Sequence, residues 1–126
     1  MKAFLFSNPV TNSWNWTGTL TGVTNVDSAL VLAFIEDATC VGLWYSVPGV
    51  GCFNNYTSRI ATSSGFPDVT VDLQLLKPDG SFTPHVSASL SKLRIIVAPA
   101  TSVVYGKREV DFNNYKAVCN YYGLSD

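Results

Sequence analysis

The side chains of this chain that could carry chemistry are three cysteines (Cys40, Cys52 and Cys119), a single histidine (His85) and nine carboxylates. A nucleophilic thiol or hydroxyl needs a base within hydrogen-bond reach, and His85 is the only imidazole that could serve. It follows Ser81-Phe82-Thr83-Pro84, a loop leading into a strand, with no cysteine or second histidine at a ligand spacing. His85 is therefore expected to be an exposed surface residue. No G-x-S-x-G is present, so Ser63-Ser64-Gly65 reads as a turn. Gly49-Val50-Gly51 lacks the lysine and following helix of a phosphate loop and also reads as a turn. The carboxylates Asp27, Glu36, Asp37, Asp68, Asp72, Asp79, Glu109, Asp111 and Asp126 stand isolated or in turns, without the D-x-D-x-D-G order of a calcium loop; a calcium site of loop carbonyls with Asp37 or Asp27 is an alternative that no pattern supports. The expectation is no catalytic residue, no metal site and no cofactor, hence a chain that is not an enzyme.

Cys40 and Cys52 lie twelve positions apart, and Cys119 falls in a separate apolar pattern near the C-terminus. In a secreted protein the first two could bridge, leaving Cys119 as a buried thiol. In a reducing compartment all three would be small buried hydrophobes. An odd count supplies no framework, and the unbridged reading is the one carried forward.

Aromatic residues offer the best handle on binding. Trp14 and Trp16 stand at i and i+2, on one face of a strand, and Tyr56 and Tyr105 lie near expected strand ends. Exposed, these four could stack on sugar rings or anchor a protein interface. The alternative for Trp16, and for Trp44, is filler in the core or between sheets. Asn15-Trp16-Thr17 and Asn55-Tyr56-Thr57 match the glycosylation acceptor pattern, which matters only in a eukaryotic secretory host.

The elements that must position these residues read almost entirely as strands. Val69, Val71, Leu73 and Leu75 alternate with Thr70, Asp72 and Gln74, the period-two mark of a strand with one buried face. Lys77-Pro78-Asp79-Gly80 closes it as a turn. Leu93 to Ala98 is another strand, ended by Pro99. From Ala29 to Ile35 both alternating sets are apolar, which marks a central strand covered on both faces. After Glu36-Asp37-Ala38-Thr39, residues Val41, Leu43, Tyr45 and Val47 share one face and Pro48 ends the run, so a hairpin is expected. Ala3 to Phe6, Trp14 to Leu20 and Tyr56 to Ala61 are weaker strands. About seven short strands at this spacing predict an all-β fold, an antiparallel β-sandwich of Ig-like or jelly-roll-like type. Tyr115, Val118, Cys119 and Tyr122 fall at i, i+3, i+4 and i+7, with Asp111 as N-cap candidate and Gly123 as stop, which predicts a C-terminal helix over residues 111–122. No linker or repeat divides residues 1–126, so one domain is expected.

Charged residues are only 13% of the chain, and its eight basic side chains are scattered, so nothing resembles the basic stripe that nucleic acid requires. No apolar run approaches the roughly 18 residues of a spanning helix. Met1 to Phe6 starts like a secretion leader but stops at Ser7-Asn8-Pro9, short of an apolar region of roughly 7 to 15 residues. The chain is then secreted or at the cell surface if a leader has been removed, and otherwise cytoplasmic or particle-associated.

Trp16-Thr17-Gly18-Thr19, the Ala29-Ile35 strand, Leu43-Trp44-Tyr45-Ser46-Val47-Pro48 and Leu93-Arg94-Ile95-Ile96-Val97-Ala98-Pro99, in that order, resemble small uncharacterised β-sandwich proteins of Bacteroidetes-type bacteria. Those proteins show a W-T-G-T start, a W-Y-x-L-P segment and an R-V-V-V-I-P-G type strand, usually behind a secretion or lipoprotein leader. The present chain has Ala98-Pro99-Ala100 where a P-G-G loop is common. The resemblance implies the fold and carries over no site residue. Taken together, the sequence suggests a contact module of structural or assembly type, acting on a protein partner or on copies of itself, with carbohydrate binding through Trp14 or Trp16 as the alternative.

Overall fold

The computed structural model describes residues 1–27, 29–63, 67–79, 81–85, 87–99 and 111–125. Its strands are β1 (Lys2–Ser13), β2 (Asn15–Leu20), β3 (Ala29–Asp37), β4 (Trp44–Val47), β5 (Gly49–Val50), β6 (Thr57–Ser63), β7 (Val69–Leu76) and β8 (Ala88–Pro99), followed by one helix, α1 (Tyr115–Tyr122). They form two antiparallel four-stranded sheets, ordered β1-β8-β3-β4 and β2-β7-β6-β5. The expected all-β sandwich is thus present. Pairing is nested, the first strand with the last and the second with the second-to-last, as in a jelly roll. The β3–β4 hairpin, which keeps both strands in one sheet, sets the other end of the order.

The alternations read from sequence build the core. Val69, Val71, Leu73 and Leu75 of β7 meet Ala33 and Ile35 of β3 and Leu90, Leu93 and Ile95 of β8 between the sheets. Each such side chain contributes roughly 1.5 to 3 kcal/mol when fully buried. β3 is central and covered twice, as its sequence predicts. Phe34, on its other face, packs with Ile96 against Tyr115, Val118 and Cys119 of α1. Trp44 of β4 stacks on Tyr115 at 3.9 Å, so its ring faces the helix while Tyr45 faces the inter-sheet core. Arg94, buried on the helix side of β8, donates to the Tyr115 hydroxyl and to the Ser125 carbonyl, pinning the segment after the helix.

Three local expectations change. α1 starts at Tyr115, not near Asp111, because the Asn114 side chain accepts the Ala117 N–H at 3.1 Å and takes the N-cap position. Asp111 instead caps a preceding turn, accepting from the Asn113 N–H. At the other end Gly123 adopts a left-handed φ of 68° and Leu124 N–H donates to Cys119 O, a Schellman stop. Second, β4 begins at Trp44, so Val41 and Leu43 do not join its face. The chain between them turns at Gly42, whose φ is +88°. Third, β1 runs to Ser13 through two register shifts against β8, with Asn8 and Asn12 at positive φ. An edge strand tolerates these bulges, and Pro9 with them. Among the described residues no helix is long and apolar enough to cross a membrane.

A candidate binding site at the stapled end of the sandwich

β3 ends in two carboxylates that the sequence reads as a polar break and the structure buries. Glu36 and Asp37 are each 5% exposed. A register shift against β8, from Glu36↔Lys92 to Asp37↔Leu90, separates their destinations. Glu36 accepts the Gly42 N–H at 3.0 Å and the Ser91 hydroxyl, fixing the turn after β3. Asp37 keeps the inward phase of Ala33 and Ile35 and meets Tyr56. Its Oδ1 accepts the N–H and the hydroxyl of Thr39 at 2.8 and 2.6 Å, and its Oδ2 accepts the Tyr56 hydroxyl at 2.5 Å. Burial pushes the Asp37 carboxyl upward, but the bonds from Thr39 and Tyr56, helped by nearby His85, outweigh it and hold the group below the ordinary carboxylate value. Burial, and then the bond to Asp37, drives the Tyr56 phenol far above its ordinary value. At neutral pH the pair is an ionised acceptor and a permanent donor.

Cys40 and Cys52 form a disulfide with Cα atoms 6.1 Å apart, which corrects the unbridged expectation. The turns after β3 and β5 bring the two together across the twelve positions that separate them. Cys119 is the free, buried thiol. The bridge joins the 38–43 turn to the short 3-10 turn Cys52–Asn54, where Phe53 and Asn54 sit at φ of 54° and 55°. For a bulky residue such as Phe53 this left-handed conformation is strained. Gly51, just before, runs flat over the Tyr56 ring: a Cβ there would lie 2.1 Å from the ring edge.

His85 is not an exposed surface residue. It is half-buried, its ring 5.6 Å from that of Tyr56 at 71°, and its Nδ1 is buried without a hydrogen-bond partner among the described residues. Between His85, Asp37, Thr39, Asn55, Tyr56 and Ser87 opens a cleft of about 230 Å³. On the other side of the 38–43 turn a shallower groove of about 380 Å³ lies between Leu43, Trp44 and the start of α1. The rim of this end is apolar. Phe53 is 79% exposed, Val41 73%, Leu43 57% and Val50 48%. No charged residue occurs from position 38 to position 57.

Of the residues singled out by sequence, only Tyr56 lines the cleft, and it is buried with its hydroxyl engaged. Trp14 is half-buried at the bend between β1 and β2, its carbonyl accepting the Leu75 N–H. Trp16 packs on Phe6 at 4.7 Å and lies across Gly18, where a Cβ would meet its ring at 2.1 Å. Tyr105 lies outside the described residues. The sequence shows His85 as the sole imidazole, Asp37 as one of nine carboxylates and Asn55 in an acceptor pattern, but nothing in it joins them to each other or to Thr39. One signal was available: Asp37 falls in the buried phase of β3, where an ionisable residue requires partners.

Among the described residues no three His, Cys, Asp or Glu side chains gather as metal ligands. No protein-family model matches the chain, and no curated protein or solved structure matches it.

Proposed function

We propose that this protein is a non-enzymatic β-sandwich module that works by protein contact, as a structural or assembly component. Its contact surface is the stapled end, and its partner is a second copy of the chain. The observation that carries this reading is the exposed apolar rim of Val50 on β5 and of Val41, Leu43 and Phe53 on the two turns locked together by Cys40–Cys52. Exposed apolar groups on a mobile loop would lose ordering entropy on binding, whereas here the disulfide and the Asp37 hydrogen bonds fix their backbone beforehand. The absence of charge over residues 38–57 matches the charge-depleted centre of interfaces. An uncharged apolar patch is also complementary to itself, as a two-fold contact requires. No hydroxyl or thiol is hydrogen-bonded to His85 among the described residues, which supports binding over nucleophilic catalysis. The disulfide supports a secreted or surface location, in keeping with the resemblance to leader-bearing sandwich proteins.

The test is light scattering over a concentration series, on the natural chain and on a Phe53→Ser, Val41→Ser double variant. The natural chain should gain mass with concentration, and the double variant should stay monomeric with an unchanged melting temperature. A monomer at every concentration to about 1 mM, where even weak contacts register, would refute the reading. Association that ignores both substitutions would refute it equally.

A further inference from the structure

We propose that the cleft between His85, Asp37 and Asn55 is a binding site for one uncharged, polyhydroxylated ring, such as a single sugar unit. This inference goes beyond the contact reading and stands on different residues. The cleft, at about 230 Å³, is smaller than the roughly 300 to 1,000 Å³ of sites for drug-sized ligands, which limits the occupant to about one ring.

The lining decides the chemistry. Asp37 is the only permanent charge among the lining residues, so an anion is disfavoured. Three of its roughly four acceptor positions are already filled by Thr39 and Tyr56. One acceptor position remains, enough for one hydroxyl but poor for an ammonium, which brings three donors. The remaining polar groups both donate and accept: the amides of Asn12 and Asn55, the hydroxyls of Ser87 and Ser89, the latter donating to Asn12 Oδ1, and the imidazole of His85. A ligand hydroxyl, itself donor and acceptor, satisfies such groups in either sense. The Asn55 and Ser87 side chains stand exposed at the mouth of the cleft, while His85 Nδ1 is buried without a hydrogen-bond partner among the described residues. Buried polar atoms without a partner are rare in folded proteins.

Backbone irregularity converges on the same place. Asn12 sits at φ 48° within the second register shift of β1, and Asp37 follows the shift in the β3–β8 pairing, where β8 carries the extra residue Ser91. Bulges next to sites re-aim side chains in this way. Both β1 and β3 therefore lose regular register against β8 where Asn12 and Asp37 meet the cleft.

The sole histidine makes the test direct, because its imidazole proton signals are assignable without ambiguity. The natural chain is titrated separately with glucose, galactose, mannose, fucose and N-acetylglucosamine, and with lysine amide and inorganic sulfate as charged probes. At least one neutral sugar should shift the His85 signals saturably, with a dissociation constant of about 1 mM. An Asn55→Ala, Ser87→Ala variant, which removes no side-chain hydrogen bond among the described residues, should weaken that sugar at least about tenfold, in line with loss of two ligand hydrogen bonds. The Phe53→Ser, Val41→Ser variant should leave it unchanged, which separates failure of this site from failure of the contact surface. A response to the charged probes alone, no saturable response to any probe, or sugar binding indifferent to Asn55 and Ser87 would each overturn the proposal.

Discussion

Replacing Tyr56 by phenylalanine isolates the hydrogen bond on which the stapled end closes. The ring is 2% exposed and packs in the inter-sheet core beside His85, and phenylalanine keeps that packing. What goes is the hydroxyl that Asp37 Oδ2 accepts at 2.5 Å. A hydrogen bond to a charged group contributes about 1.5 to 3 kcal/mol. Thr39 still donates twice to Oδ1, so the carboxylate is weakened, not stranded. We expect a loss of about 2 kcal/mol at neutral pH, which for a domain of this size lowers the melting temperature by roughly 6 to 10 °C. The pH dependence supplies a second reading. Because the folded carboxyl lies below its ordinary value of 3.8, its contribution is complete above that value and is lost as pH falls through the lower folded value. Without the Tyr56 bond the depression is smaller. The gap between natural and variant chains should therefore be full at neutral pH and narrow in acid, toward the roughly 1 kcal/mol of a neutral hydrogen bond. Urea unfolding followed by tryptophan fluorescence, from neutral pH to about pH 2, measures both; that range spans the carboxylate titration. A gap below about 0.5 kcal/mol at neutral pH, the scale of an ordinary surface change, would refute the reasoning. So would a gap that stays constant or widens in acid.

Two further outcomes probe the same end of the molecule. Without reductant, alkylation in urea should label one cysteine, Cys119, and with reductant all three; opening the bridge should cost about 3 kcal/mol, the figure for a short closed loop, read as a lower urea midpoint. Three labelled thiols in the unreduced chain would contradict the pairing. Gly51→Ala places a Cβ 2.1 Å from a Tyr56 ring that is buried and cannot swing away. It should destabilise by about 1 to 3 kcal/mol, as overpacking does, and a variant as stable as the natural chain would show that the ring is not held there.

Much of the architecture was legible because its causes are local. Period two in Val69 to Leu75 specifies a half-buried strand wherever that strand ends up. The doubly apolar Ala29 to Ile35 demands a cover on each face, and α1 and the second sheet supply it. The helical face of Tyr115, Val118 and Cys119 was equally fixed by spacing, since three- and four-residue steps recur on one side of a helix. The start of that helix was less legible, because Asp111 and Asn114 are both good caps and the choice between them depends on which turn the chain makes before docking.

The site itself came from tertiary structure. Nothing in the neighbourhood of Asp37 names Tyr56 or His85 as partners, 19 and 48 positions along the chain, and only the crossing from one sheet to the other makes them neighbours. Val41 and Leu43 follow the alternation of a strand, yet Gly42 and the disulfide carry them out of the sheet into solvent. Residue types and their periods determined what each segment of this protein prefers to be. The packing of the two sheets decided which carboxylate is buried and paired, which cysteines meet and which apolar side chains remain uncovered, because each depends on contacts between segments that no local pattern contains.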